Sequence, residues 1–234
     1  MTTQATTAIV GNAMMSKAFS LTATDDKWDA NVLVDDLGSN PLGILMPGSV
    51  VDHVCVVYTA GACAWRIIDT VTLQVKRTGW GSLTGYSDYD ECKIAPYTIQ
   101  KTDTLQVYPI PVDATSGESS VLAWVRSDGA NELYTGTNIA DNTATAITSA
   151  VNNLGIGDSI FGQRLRALSV QVEDGGTLKE VQIIDNTGGT IYQAYGTKRG
   201  LTPGSRSNYY NIDLEQLVIP VSKGFILKVV TVSA

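Results

Sequence analysis

The sequence has little of what catalytic and metal sites are built from. It contains one histidine, His53, and three cysteines in 234 residues, and charged residues make up only 17% of the chain. A serine nucleophile requires a base, most often histidine, to accept its proton, and zinc sites use Cys and His pairs at short spacings. The sequence therefore predicts a protein that is not an enzyme and that binds no metal or cofactor.

One motif still has to be weighed against that prediction. Gly155–Ile160 reads GIGDSI and resembles the Gly-Asp-Ser block of a lipase-like hydrolase family. That chemistry needs a histidine, but His53 lies upstream and outside any Asp-x-x-His motif. His53 alternates with Val54 on a predicted strand, which indicates that the His53 side chain lies on the surface or in an interface. The block is therefore interpreted as a glycine-rich turn.

Three acidic stretches leave calcium binding open as an alternative. Carboxylate and carbonyl oxygens are the ligands that Ca²⁺ prefers. None of the stretches has the ligand spacing of an EF-hand loop, so solvated turns are the preferred interpretation. They contain Asp25, Asp26 and Asp29; Asp88, Asp90 and Glu91; and Asp128 and Glu132.

The cysteines do not form a disulfide framework. The number of cysteines is odd, and no Cys-x-x-Cys motif occurs among Cys55, Cys63 and Cys92. Cys55 and Cys63 flank a predicted turn, where they either face each other across it or remain thiols. A buried free thiol is the preferred interpretation.

The charge balance and the lack of long apolar runs exclude two classes of partner. The net charge is −7, and the 16 basic residues are scattered, whereas nucleic-acid binding needs clustered Lys and Arg. No stretch approaches the roughly 20 apolar residues of a membrane span. The N-terminus, MTTQATTAIVGNAMMSK, lacks a basic region and is not predicted to be a signal peptide.

What the chain does contain is glycine, threonine, serine and β-branched residues, which favour an all-β fold. The clearest pattern lies in 168–186, where Val170 and Val172 alternate with polar residues before Asp174-Gly175-Gly176, and alternation resumes at Val181 and Ile183. Period-two alternation around a glycine turn predicts a β-hairpin with one buried face.

This hairpin pattern occurs a second time, at 52–70. At an offset of 116 residues, Val54, Val56 and Ile67 fall on Val170, Val172 and Ile183, and these six residues are predicted core. The offset reaches 122 near the end of the chain. Upstream it is 100 to 102, and at the offset of 100 Leu33 falls on Leu133. Because each change of offset falls in a predicted loop, we interpret the pattern as an internal duplication.

The duplication predicts two tandem β-sandwich or jelly-roll-like units, 17–112 and 119–234, joined by a linker at 113–118. Residues 1–16 are Thr- and Ala-rich without a period and are predicted to form an extended arm. Function is expected where the copies differ: the arm, the Gly79–Glu91 loop and the extra Ile139–Ser159 segment.

Aromatic and arginine residues cluster in matching regions of the two units. Tyr, Trp and Arg are typical of protein interfaces, because rigid rings give contact area at low entropic cost. Sugar stacking and packing at the ends of the core are the alternatives. The candidate interface residues are Trp80, Tyr86, Tyr89, Tyr209, Tyr210, Arg199 and Arg206.

Taken together, the arm, the turn-rich repeated β body, the few charges and a C-terminal strand reading FILKVVTVSA resemble virion structural proteins of tailed bacteriophages, closest to head decoration proteins. The resemblance implies a non-enzymatic protein that decorates or cements a capsid through contacts with capsid subunits. It also implies a homo-oligomer, with a trimer favoured, found in a virion assembled in the host cytoplasm. The tandem units also resemble the double jelly roll of major capsid proteins. A carbohydrate- or receptor-binding module of a virion fibre is the remaining alternative.

Overall fold

The computed structural model describes residues 3–11, 13–20, 28, 31–35, 39–58, 61–82, 92–111, 115–173, 175–196 and 209–233. The chain is all-β, and it divides into two compact units, 1–111 and 112–234. The division falls within a residue of the predicted end of the first sandwich. Each unit has its own buried apolar core.

Unit 1 contains two sheets. The strand order is β3-β2-β1-β4-β7 in the first sheet and β6-β5-β8 in the second. The segment before β3 runs beside β8 through the Val32–Gln106 bridge, and the Leu33 amide donates to the Leu105 carbonyl at 2.9 Å. The elements are β1 (Thr3–Val10), β2 (Ala13–Ser20), β3 (Val34–Asp35), α1 (Leu42–Leu45), β4 (Val50–Val57), β5 (Gly61–Asp69), β6 (Val75–Trp80), β7 (Lys93–Thr98) and β8 (Asp103–Pro111).

Unit 2 has the same pairings, in the orders β11-β10-β9-β12-β15 and β14-β13-β17. Because β11 also pairs with β17, its strands form one nine-stranded sheet in which β16 lies beside β12. The 3₁₀ turn Glu215–Leu217 and β16 follow β15. The elements are β9 (Glu118–Ser127), β10 (Asn131–Ala140), β11 (Thr145–Ser149), α2 (Ile156–Ser159), β12 (Arg164–Val172), β13 (Thr177–Ile184), β14 (Thr190–Tyr195), β15 (Tyr209–Asp213), β16 (Ile219–Pro220) and β17 (Ile226–Val232).

The pairing in each unit follows the pattern of a jelly roll, in which eight strands form two facing sheets. In an ordinary jelly roll, the strand that completes this pattern is the last one in the sequence. Here the strand in that position is the first of its unit, β1 in unit 1 and β9 in unit 2. β17 is the last strand in chain order but lies inside its sheet, between β13 and β11. Asp141 fixes the residue after it, because its carboxylate accepts the Ser233 amide at 2.7 Å and the Ser233 hydroxyl at 3.2 Å.

The predicted hairpins are wrong, although their strands are present. β12 pairs with β9, β15 and β16, whereas β13 pairs with β14 and β17, so the two strands are not neighbours and the turn after β12 is not a hairpin turn. The same holds for β4 and β5. All six predicted core residues are buried. Every such strand buries one face, whichever strand it pairs with. Alternation of apolar residues therefore does not reveal the pairing partner.

The predicted N-terminal arm is also wrong. β1 and β2 pair with each other, and β1 continues the sheet beside β4, with Ala8 opposite Val56 and Val10 opposite Val54. The Ala8 and Val10 side chains belong to the core of unit 1. This hairpin is the counterpart of β9 and β10, so the predicted offset of 100 to 102 compares elements that are not equivalent. Leu33 lies beside β8, whereas Leu133 lies opposite Trp124 on β9.

The Ile139–Ser159 segment is therefore not extra, because β11 and α2 correspond to β3 and α1. The hydrogen bond from the Asp35 amide to the Asn40 carbonyl is matched by one from the Ser149 amide to the Leu154 carbonyl. Ser39 and Asn153 both have left-handed backbone, with φ of 55° and 61°. This likeness is structural, and a duplication of the sequence stays a prediction.

Cys55 forms a disulfide with Cys92, the residue that precedes β7, and their Cα atoms are 5.0 Å apart. A Cys55–Cys63 pair is excluded because Cys55 is already bonded to Cys92. Cys63 is a buried free thiol, and burial raises its pKa well above the ordinary value. His53 is buried rather than on the surface, because its strand β4 has β1 on one side and β7 on the other.

Candidate protein interface

The aromatic interface predicted from the sequence is described only in part. Trp80 ends β6 half-buried, and its carbonyl accepts a hydrogen bond from Trp65 Nε1 at 3.1 Å. Tyr209 is half-buried on β15, but Tyr210 lies opposite Val170 and is a core residue of unit 2. Tyr210 therefore does not offer a surface contact. Four further candidates lie outside the described residues: Tyr86, Tyr89, Arg199 and Arg206.

A different set of side chains is exposed in both units. Among the described residues, nine of the twelve large exposed hydrophobic side chains lie at the end of a unit where α1 or α2 is found, which we call the helical end. Sequence reasoning missed them because apolar residues in turns have no periodicity that distinguishes them from core. The nine are Ile44, Val50, Val71, Leu73, Val151, Leu154, Phe161, Leu217 and Val218.

A buried glycine fixes each helical end. Gly43 of α1 packs against the β7–β8 turn so closely that a Cβ atom there would lie 2.5 Å from the Gln100 oxygen. Gly157 of α2 packs equally closely on the β16–β17 turn, where a Cβ atom would lie 2.6 Å from the Gly224 nitrogen. Each contact is main chain against main chain, so the helix and the turn hold the exposed loops in a defined position.

Aspartates shape the turns that follow β5 and β13 at this end. Asp69 Oδ1 accepts the Val71 and Thr72 amides at 2.9 and 3.1 Å. Asp185 Oδ1 accepts the Thr187 and Gly189 amides, both at 2.8 Å. Hydrogen bonds from Thr72 and Val71 lower the Asp69 pKa, and those from Thr187 and Gly189 lower the Asp185 pKa. Both turns are therefore anchored by ionised carboxylates at neutral pH.

A buried carboxylate supports the helical end of unit 1. Asp103 Oδ2 accepts the Tyr97 hydroxyl and the Gln100 amide, each at 2.7 Å, and Asp103 is 1% exposed. The Arg77 guanidinium lies over the Tyr97 ring, 4.9 Å from its centroid. Burial, and then the Asp103 carboxylate, raise the pKa of Tyr97, so its hydroxyl remains a donor at neutral pH.

We expect Tyr97→Phe to lower the free energy of unfolding by about 1–3 kcal/mol, the usual effect of removing a donor from a buried acceptor. The phenyl ring keeps the contact with Arg77, so the change tests the hydroxyl alone. Urea unfolding would measure it, with the exposed Tyr195→Phe as control. Equal stability of the two variants would contradict the expectation.

The Gly-Asp-Ser block forms a structural contact. The Ser159 hydroxyl hydrogen-bonds the Tyr134 hydroxyl, which lies 3.4 Å from Glu132 Oε2, and Ser149 donates to Glu132 Oε1. Burial raises the pKa of Tyr134, so this hydroxyl is not a base for Ser159. His53 belongs to unit 1, where its Nδ1 contacts Asp52 Oδ1 at 2.7 Å. The arrangement ties α2 to β10 and β11.

The acidic residues considered for calcium are described only in part. Asp128 forms an ion pair with Arg166, and Glu132 accepts the hydrogen bonds named above. Asp25, Asp26, Asp29, Asp88, Asp90 and Glu91 lie outside the described residues. In the part of the chain that the structure describes, no three His, Cys, Asp or Glu side chains form a metal-binding group. No helix among these residues is long and apolar enough to cross a membrane.

Comparison with protein-family models, curated proteins and solved structures finds no match to this chain. Four of the nine exposed apolar side chains lie at the helical end of unit 1 and five at the helical end of unit 2, and each helical end is a candidate functional surface. Apolar side chains gathered on one part of a surface are typical of protein–protein contact.

Proposed function

We propose that this chain is a non-enzymatic structural protein of a virus capsid that acts through protein–protein contacts. The observation that carries the proposal is the strand order, because both units have the jelly-roll pairing on which many capsid subunits are built. The exposed apolar side chains at both helical ends support it, since they supply contact area without catalytic groups.

Within a capsid, decoration or cementing of the shell is the role implied by the resemblance of the sequence. The repeated strand order favours a second candidate, a shell-forming major capsid protein of the double jelly-roll type. The two roles differ in copy number, because a shell protein forms most of the particle mass and a decoration protein adds to a shell made by another chain.

Electron microscopy and sedimentation of the purified full chain would test the proposal. Closed shells or curved sheets formed by the chain alone are the result expected of a major capsid protein. Discrete small oligomers that co-sediment with preformed capsids, and whose removal leaves less stable shells, are the result expected of a decoration protein. Glycan binding that is lost in Trp80→Ala, without capsid association, would overturn both in favour of a fibre module.

A further inference from the structure

The edge of the first sheet of unit 1 is exposed to solvent. Among the described strands, β7 pairs with β4 alone, so its other side forms the end of that sheet. Ala95, Pro96 and Thr98 of β7 are exposed. An exposed edge strand presents main-chain groups to which a strand of a second molecule is able to add.

β7 is irregular at its centre. Its register against β4 shifts between Val51 and His53, where three residues, 94–96, stand opposite Asp52. Such a bulge bends an edge strand and interrupts its regular row of hydrogen-bonding groups. Pro96 lies in the bulge and has no amide hydrogen to donate. The bulge therefore leaves mainly acceptors, the carbonyl groups, to be covered.

Two side chains of the same chain cover carbonyl groups of β7. Arg77 lies on β6, the strand that ends the second sheet, and its Nε donates to the Ala95 carbonyl at 3.0 Å. Its Nη2 donates to the Pro96 carbonyl at 2.9 Å. Gln100 Nε2 donates to the Thr98 carbonyl at 2.9 Å. Three acceptors of the exposed strand are thus already occupied.

The Arg77 guanidinium is held in this position by its surroundings. Its Nη1 donates to the Lys76 carbonyl at 2.6 Å, and the Tyr97 ring lies beneath it with the centroid 4.9 Å away. The Tyr97 hydroxyl donates to the buried Asp103 carboxylate at 2.7 Å. Asp103, Tyr97 and Arg77 therefore form a chain of contacts that leads from the interior of unit 1 to the edge of its sheet.

We infer that Arg77 is a clamp that closes the β7 edge and prevents a second copy of this chain from adding a strand to it. A planar guanidinium donates in several fixed directions, so one side chain covers two neighbouring carbonyls. The bulge, Pro96 and the exposed Lys93 are further features by which edge strands avoid pairing. The inference goes beyond the capsid role proposed above, because it identifies an edge through which the chain does not assemble.

Sedimentation velocity of the full chain tests the clamp in Arg77→Met, which keeps an unbranched side chain over the Tyr97 ring but removes the donors. We expect the variant to self-associate with a Kd at least about tenfold lower than that of the wild type, since uncovered acceptors become available to a second chain. Lys76→Met is the matched control, because it removes the same charge from the neighbouring position of β6 and should sediment like the wild type. Arg77→Lys keeps the charge but loses the forked geometry, so it should also associate, and it decides the question if Arg77→Met does not fold.

A second substitution shows whether the association uses β7. Ala95→Lys places a charge at an exposed position of the edge, and in combination with Arg77→Met it should return the sedimentation to that of the wild type. Thermal unfolding of each variant verifies that it remains folded. A folded Arg77→Met protein that sediments like the wild type would overturn the inference. So would self-association that Lys76→Met shares, or that Ala95→Lys leaves unchanged.

Discussion

Gly157→Ala should lower the free energy of unfolding by about 3 kcal/mol, the upper part of the usual range for overpacking a site that cannot relax. The new methyl group would meet the Phe225 nitrogen, the Gly224 nitrogen at 2.6 Å and the Ser222 oxygen at 2.8 Å. All three atoms are main chain, so no side-chain rotation relieves the overlap. Gly43→Ala should have an effect of similar size, because its Cβ would meet main-chain atoms of Gln100 and Lys101.

Gly48→Ala and Gly162→Ala are matched controls in the two units. Both glycines have left-handed backbone, with φ of 79° and 77°, and a Cβ atom at either position has open space around it. Each control should cost only about 1 kcal/mol, from backbone conformation alone. Guanidinium chloride unfolding of the four variants would measure the difference. If Gly43→Ala or Gly157→Ala costs no more than its control, the close packing of the helical ends is wrong.

Loss of the Cys55–Cys92 disulfide should lower the free energy of unfolding by about 4 kcal/mol. The bond closes a loop across 37 positions of sequence, and the chain-entropy relation gives this value for a loop of that length. The paired substitution Cys55→Ala and Cys92→Ala avoids a leftover thiol. Urea unfolding of this variant, compared with the oxidised wild type, would measure the effect.

Thiol labelling separates the two kinds of cysteine and serves as the control. Oxidised protein should react with a thiol reagent at one position only, Cys63, and only after unfolding, because burial keeps this thiol protonated and inaccessible. Reduced and unfolded protein should react at all three positions. Labelling of three cysteines in unreduced, unfolded protein would contradict the disulfide.

The sequence pattern predicts the strands of both units better than it predicts their neighbours. The alternation around Val170 and Val54 identifies β12 and β4, and the residues that point inward are buried. It does not identify which strands pair, because the turn between β12 and β13 has the same sequence pattern as the turn of a hairpin. Pairing depends on contacts between residues far apart in sequence, such as Ala8 with Val56 and Val121 with Val172.

The N-terminal strands show a second limit of sequence reasoning. β1 reads TQATTAIV, and its Ala8 and Val10 side chains belong to the core of unit 1. Its ladder with β4 joins residues far apart in sequence, a pairing that sequence periodicity does not report.

The interior position of β17 determines when unit 2 is able to fold during synthesis. This strand lies between β13 and β11, so it joins β13 and β14 to the rest of the sheet, and it supplies the buried Leu227 and Val229. We therefore expect β13 and β14 to lack their pairing partner on the ribosome until Ile226–Val232 emerges. Unit 1 is complete in sequence by Pro111 and is free to fold earlier. A chain that stalls or is cleaved before β17 would thus carry one finished unit and one exposed half-sandwich, a form that chaperones and proteases recognise.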